Sequence, residues 1–187
     1  MGFIVNPIAG MGGRVGLKGT DDVLERAIQL GAKPIAPSRA IEFLRKLKAL
    51  ESTVSIITCP GIMGEDEART ATLPAITLPM PLKSKTTAED TKLAVKKMIE
   101  EEVDLIVFVG GDGTAKDILD AMRDVKMVPV LGVPSGVKMH SGIFAINSSE
   151  AAEVVKAFSE GMSQLMDFEI MDADEDAIRR GRFSVKL

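Results

Sequence analysis

A chain of 187 residues that is 45% hydrophobic and 27% charged can bury one substantial core, and its make-up excludes a disordered tail. A formal net charge of −4 argues against nucleic acid as the principal partner, because a phosphate backbone is gripped by a strongly basic face. One cysteine, Cys59, excludes an intrachain disulfide; Met1 runs straight into a strand pattern, and no apolar stretch reaches the roughly 18 residues of a membrane span, so a cytoplasmic protein without a membrane partner is expected.

Gly2 to Val5 reads as a short apolar strand that Asn6-Pro7 ends, because proline cannot continue a ladder. Gly10, Gly12, Gly13, Gly16 and Gly19 then punctuate a loop that also carries Arg14 and Lys18, a mixture suited to wrapping a phosphorylated ligand, although a surface loop has the same glycine content. It is no dinucleotide fingerprint, since Val15 stands where the third glycine belongs, and no Gly-Lys-Ser/Thr makes it a P-loop. Thr20-Asp-Asp22 caps a predicted helix through Leu30, closed by Gly31. Pro37-Ser38 begins another, with Ile41, Leu44 and Leu47 on one face and Arg45, Lys46 and Lys48 outward. Val54 to Cys59 is the next predicted strand. Cys59 has no His or Lys beside it and reads as a small buried hydrophobe.

Glu65 to Ala71 suits a short acidic helix, Ala75 to Leu78 a brief strand, and Lys83 and Lys85 sit in an exposed connector. Thr87-Ala-Glu-Asp90 has capping-box spacing and opens a helix to about Glu101, with Leu93, Val95, Met98 and Ile99 toward the sheet. Leu105 to Val109, unbroken and rich in β-branched residues, reads as a central parallel strand buried on both faces. Gly110 and Gly111 permit a tight turn, and Thr114-Ala-Lys-Asp117 has the spacing to cap a helix whose apolar stripe is Ile118, Leu119 and Met122. Strand, glycine turn and helix N-terminus make an anion site. Asp112 sits at its rim. A carboxylate repels phosphate unless it has separate work, as general base or metal anchor; the alternative is a turn residue capping a local N–H.

Met127 to Val133 is a further strand, interrupted at Pro129. In the loop from Pro134 to Gly142, Gly136 allows close approach and Lys138 is the best-placed cation for phosphate. His140 is the only histidine, and with one cysteine it makes no zinc pattern, so no metal ligands are expected. Ser148-Ser149 caps a helix that ends at Gly161, with Ala152, Val155 and Phe158 inward. Leu165 to Met171 alternates like a strand, Asp172 to Asp176 reads as an acidic turn that lacks the glycine and glutamate of a calcium loop, and Phe183 to Leu187 begins a new strand. From Gly2 to Phe158 strands alternate with helices and no hairpin signal occurs, which gives a three-layer α/β fold, a mainly parallel sheet with helices on both faces. The glycine-bearing loops after Val5, Val109 and Val133 all fall at the carboxyl ends of strands, where ligands of such sheets bind.

Gly110-Gly-Asp-Gly-Thr114 resembles the signature shared by NAD kinases, diacylglycerol and sphingosine kinases and, more loosely, phosphofructokinases. Ile4-Val-Asn-Pro7 and Pro129-Val-Leu-Gly-Val-Pro-Ser-Gly136 sit where the NAD-kinase-like group carries its other two nucleotide loops. The chain is most similar to archaeal and bacterial ATP–NAD kinase-like proteins, a group with acetoin-catabolism relatives, over nearly its whole length. The resemblance implies an enzyme that transfers a phosphoryl group from ATP or polyphosphate, with Mg²⁺, to a hydroxyl, in NAD kinases the ribose 2′-hydroxyl of NAD. Asp112 is then the base; Gly110, Gly111, Gly113 and Thr114 hold diphosphate; Asn6, Gly10, Gly136 and Lys138 line the nucleotide site. Pro134 stands where these kinases carry an asparagine, which weakens side-chain recognition at that point. Two alternatives are a lipid or other small-alcohol kinase of the same superfamily and a non-catalytic nucleotide-binding domain. Residues 1–170 correspond to the α/β lobe and 171–187 to the start of a second, β-rich lobe absent from this chain. No Asn-Glu pair of that lobe occurs in the 187 residues, so an incomplete acceptor site is expected. The partners implied are small-molecule nucleotides, and a homo-oligomer is expected.

Overall fold

The computed structural model describes residues 1–14, 24–50, 54–81, 83–123, 125–136, 139–173 and 185–186. Five strands, β1 (Gly2–Val5), β2 (Ile57–Thr58), β3 (Ile76–Thr77), β4 (Ile106–Gly110) and β5 (Val130–Pro134), form one sheet in the order β3-β2-β1-β4-β5. All four pairings are parallel, with Gly2 to Val5 in register against Ile106 to Val109. The helices are α1 (Met11–Arg14), α2 (Leu24–Gln29), α3 (Ala36–Ala49), α4 (Glu65–Thr70), α5 (Ala88–Glu100), α6 (Asp112–Met122) and α7 (Ser148–Ser159).

Alternate residues of the central strands face opposite layers, as a pleat requires. Phe3, Val5, Val107 and Val109 pack with Phe43 and Leu44 of α3 and Ala152 and Val155 of α7. Ile4, Ile106 and Phe108 pack with Val95 and Met98 of α5 and Ile118 and Met122 of α6. Each such fully buried side chain is worth roughly 1.5–3 kcal/mol, so the two helical layers clamp β1 and β4 hardest. From β1 the chain moves outward to β2 and β3, then crosses back through α5 to β4 on the other side of β1. The strand order reverses between β1 and β4, the place where sheets of this kind bind ligands at the carboxyl ends of their strands.

Several expectations need correction. Leu165 to Met171 forms no strand: residues 165–169 are exposed and have no ladder partner, so alternation alone does not make one. A two-stranded antiparallel pair lies further on, between β6 (Asp172–Ala173) and β7 (Val185–Lys186), the latter inside the stretch expected to begin a strand; Asp172 lies in a strand instead of an acidic turn, because two-residue strands are too short to show a period. Leu93 is 39% exposed, one position off the buried stripe of Ala94, Val95 and Met98. The final helix is capped by Asn147, whose Oδ1 accepts the Glu150 N–H at 2.9 Å, one residue before the expected serines. Gly31 and Gly161 take φ of +83° and +70° behind α2 and α7, the left-handed turn that ends a helix. The cap expected at Thr20 to Asp22, the glycine loop from Val15 to Gly19 and the rest of the acidic turn to Asp176 lie outside the described residues.

Candidate functional site

The first loop is tied to β4 through Asn6. Its N–H donates to the Val109 carbonyl at 3.0 Å, and its Nδ2 donates to Thr114 Oγ1, also at 3.0 Å. Asn6 Oδ1 turns back to accept the Ile8 N–H at 3.3 Å. One amide side chain thus fixes the loop after β1 against the helix after β4, across the switch in strand order.

The helix begins three residues earlier than its capping-box spacing suggests. Gly111 is the N-cap, Asp112 the first helical residue, and Thr114 falls in the first turn. Thr114 is 3% exposed, because its side chain folds back over Gly110: a Cβ at Gly110 would lie 2.6 Å from Thr114 Oγ1. Glycine is therefore required by packing at Gly110. Gly111 has φ of −124°, open to any residue, and a Cβ there would meet only Met139, at 3.8 Å. Gly113 faces open space. The N–H groups of Asp112, Gly113 and Thr114 have no acceptor within the helix and stand at its positive end.

The third loop closes the arrangement. The Ser135 N–H donates to the Gly110 carbonyl at 3.1 Å, and Gly10, at φ of +80°, passes so close that any Cβ on it would collide with the Ser135 carbonyl. A Cβ on Gly136 would lie 3.8 Å from the Gly10 Cα. Ser135 is 1% exposed, and its hydroxyl has no hydrogen-bond partner among the described residues. Next to this junction a cleft of about 290 Å³ is lined by Arg39, Pro134, Gly136, Met139 and Asn147. Arg39 is shared with Glu42 at 2.9 Å.

Asp112 is partly buried, and its carboxylate accepts N–H groups from His140 and Ser141 and the Ser141 hydroxyl. His140 enters through its backbone, with its side chain exposed. Asn6, Gly10, Gly110, Thr114 and Gly136 thus meet at one point, with Gly111, Asp112 and Gly113 along the rim; Lys138 lies outside the described residues. Sequence reasoning missed Ser141, which had only its place in the loop after β5 to mark it. Cys59 is fully buried, and burial pushes its thiol up to about 12, which leaves it unreactive.

An open all-parallel sheet, covered by helices on both faces and carrying three glycine-bearing loops at the switch in strand order, is a doubly wound α/β domain. The family model described as ATP-NAD kinase N-terminal domain matches residues 1–162, and the chain belongs to that family. It is a kinase-family domain for which the family implies ATP and NAD as substrates. No curated protein and no solved structure matches the chain. Among the described residues, no helix is long and apolar enough to cross a membrane.

Proposed function

We propose that the protein transfers the terminal phosphoryl group of ATP, or of polyphosphate, to the 2′-hydroxyl of the adenosine ribose of NAD, giving NADP. The observation that carries this reading is the Asn6–Thr114 bond, which locks the first loop onto α6 with Asp112 at the lip of the helix N-terminus. Gly110, Gly111, Gly113 and Thr114 form the turn that holds diphosphate on the free N–H groups of the α6 N-terminus; Asn6, Gly10 and Gly136 shape the wall, and Lys138 supplies a cation. A new bond forms between the acceptor oxygen and phosphorus while the phosphorus–oxygen bond to the leaving nucleotide breaks. The hydroxyl proton goes to Asp112. Mg²⁺ would accompany the ATP phosphates and offset their charge. Residues 171–187 are read as the opening strands of a β-rich lobe that completes the acceptor pocket, and the protein as a cytoplasmic homo-oligomer.

A coupled assay for NADP formation tests this reading. Asp112→Asn should lower turnover at least about 10²-fold while the ATP dissociation constant by calorimetry stays within a factor of about three, since the amide keeps the shape but accepts no proton. Turnover within about tenfold of wild type shows that Asp112 is not the base. The second reading is a kinase for a lipid or other apolar alcohol. It draws on Met162, Leu165, Met166 and Phe168, all at least half exposed, in the segment that follows α7. Transfer to such an alcohol with none to NAD selects it; ATP binding without any transfer selects a non-catalytic nucleotide-binding domain.

A further inference from the structure

Asp112 is held from outside its own helix. Oδ1 accepts both the Ser141 hydroxyl, at 2.6 Å, and the Ser141 N–H, at 3.0 Å; Oδ2 accepts the His140 N–H at 3.0 Å. The Ser141 oxygen is itself an acceptor, for the Met171 N–H at 3.0 Å. Because a backbone N–H can only donate, the serine's own proton points to Asp112, and the direction of both bonds is fixed. Ser141 is 6% exposed, so water competes poorly for either bond. A second contact seats the same segment: a Cβ on Gly142 would lie 2.5 Å from Phe168 Cδ1, so Phe168 rests directly on the turn that carries Ser141. Phe168 and Met171 both lie beyond residue 162, where the family match stops.

We propose that Ser141 is a positioning residue, locked by the 168–171 segment, that orients the Asp112 carboxylate so that the acceptor's proton is taken on Oδ2. This rests on the phosphoryl-transfer reading above. A carboxylate oxygen offers two lone-pair positions. Both on Oδ1 are filled by Ser141, whereas Oδ2 carries a single donor among the described residues and keeps one position for a substrate hydroxyl. As the acceptor oxygen bonds to phosphorus and the bond to the leaving nucleotide breaks, the hydroxyl proton passes to Oδ2. Removing the serine hydroxyl leaves the carboxylate held by the His140 and Ser141 N–H groups alone and loosens its placement, and a misplacement of about 1 Å costs on the order of 10²-fold in rate. The stretch beyond the family domain therefore reaches back to set the geometry of the motif aspartate.

The test uses the whole chain. Ser141→Ala should lower kcat by about 10- to 100-fold and leave KM for the acceptor and the ATP dissociation constant within about threefold, while Ser141→Thr, which keeps the hydroxyl, should recover most of the loss. Gly142→Ala, which pushes Phe168 off the turn without touching Ser141, should lower kcat in the same direction. A merely structural Ser141 would instead shift KM and the thermal midpoint and would not be rescued by threonine; that outcome overturns the proposal, as does a kcat for Ser141→Ala within threefold of wild type. Amide hydrogen exchange supplies a readout independent of turnover. The Met171 N–H should exchange about tenfold faster in Ser141→Ala than in wild type and in Ser141→Thr. If the wild-type chain phosphorylates no acceptor, the kinase reading fails by itself; a Met171 amide indifferent to Ser141→Ala then overturns the relay separately.

Discussion

At the scale of single residues, the site is held by a few contacts whose loss has different consequences. Gly10 and Gly110 are glycine for packing reasons, but Gly10 also needs the left-handed backbone at φ of +80°, where a β-carbon is strained before any clash is counted. Gly10→Ala should therefore part the first and third loops. The expected result is a loss of about 1–3 kcal/mol of stability in urea and a weaker ATP affinity by calorimetry. Unchanged affinity would show that the contact with Ser135 has no part in the nucleotide site. Gly113→Ala, by comparison, meets open space, so it should leave the packing between the two loops untouched. Asn6 illustrates a role that composition hides, since its amide bonds a buried threonine 108 positions away and thereby aligns two loops.

At the scale of elements, two acidic side chains on helices that pack against opposite faces of the sheet are shifted in opposite directions. Glu67 of α4 is 4% exposed, its Oε2 has no hydrogen-bond partner among the described residues, and burial pushes its carboxyl up from an ordinary 4.5 to about 7. The folded state thus holds this proton more tightly than the unfolded chain. Its stabilising effect is complete below pH 4.5, shrinks as pH rises, and is gone above about 7. Asp90 behaves the other way: burial works against its charge, but hydrogen bonds from Lys83 and from the Thr87 hydroxyl and N–H outweigh it and hold the carboxyl below its ordinary range. Its stabilising effect is present at neutral pH and is lost as pH falls through that depressed value. Glu67→Gln should accordingly stabilise the protein by about 1–2 kcal/mol at pH 8 and change little at pH 5, read from urea midpoints. A gain of the same size at both pH values would show that Glu67 does not titrate with folding. The Thr87-to-Asp90 box was legible in the sequence because spacing alone specifies it. So were β1, β4 and the glycine turn, where a continuous apolar run meets residues that break it. The start of α6 was not: Gly111 caps without a side chain, and Thr114, which looks like a cap, spends its hydroxyl on Asn6. Nor was Lys83 legible as the partner of Asp90, since a lysine in a connector carries no pattern that names its acid. Ser141 was hidden for the same reason, because its value lies in a loop trajectory that no periodicity encodes.

At the scale of the whole molecule, the α/β unit and the stretch behind it are joined unevenly. Among the described residues, every fully buried apolar side chain of both layers lies at or before Val155, and beyond it Ile170 alone packs partly against the α5–α6 side. The residues from 161 to 169 are exposed, so they contribute little area to the core. Yet Phe168 and Met171 reach the turn that holds Asp112. Folding and geometry of the site should therefore separate. A chain ended after Met162 keeps both core layers and the whole five-stranded sheet, and its urea unfolding should remain a single cooperative transition. The loss should be no more than about 2 kcal/mol, the sum of one partly buried isoleucine, one aromatic contact and one hydrogen bond. Its ATP affinity should stay close to that of the full chain, because no residue of the glycine junction is removed. Turnover, in contrast, should fall as far as in Ser141→Ala, since the serine has lost the N–H that fixed its hydroxyl. A shortened chain that fails to unfold cooperatively would make the final stretch part of the core, and its reach to Asp112 would then be a by-product of packing.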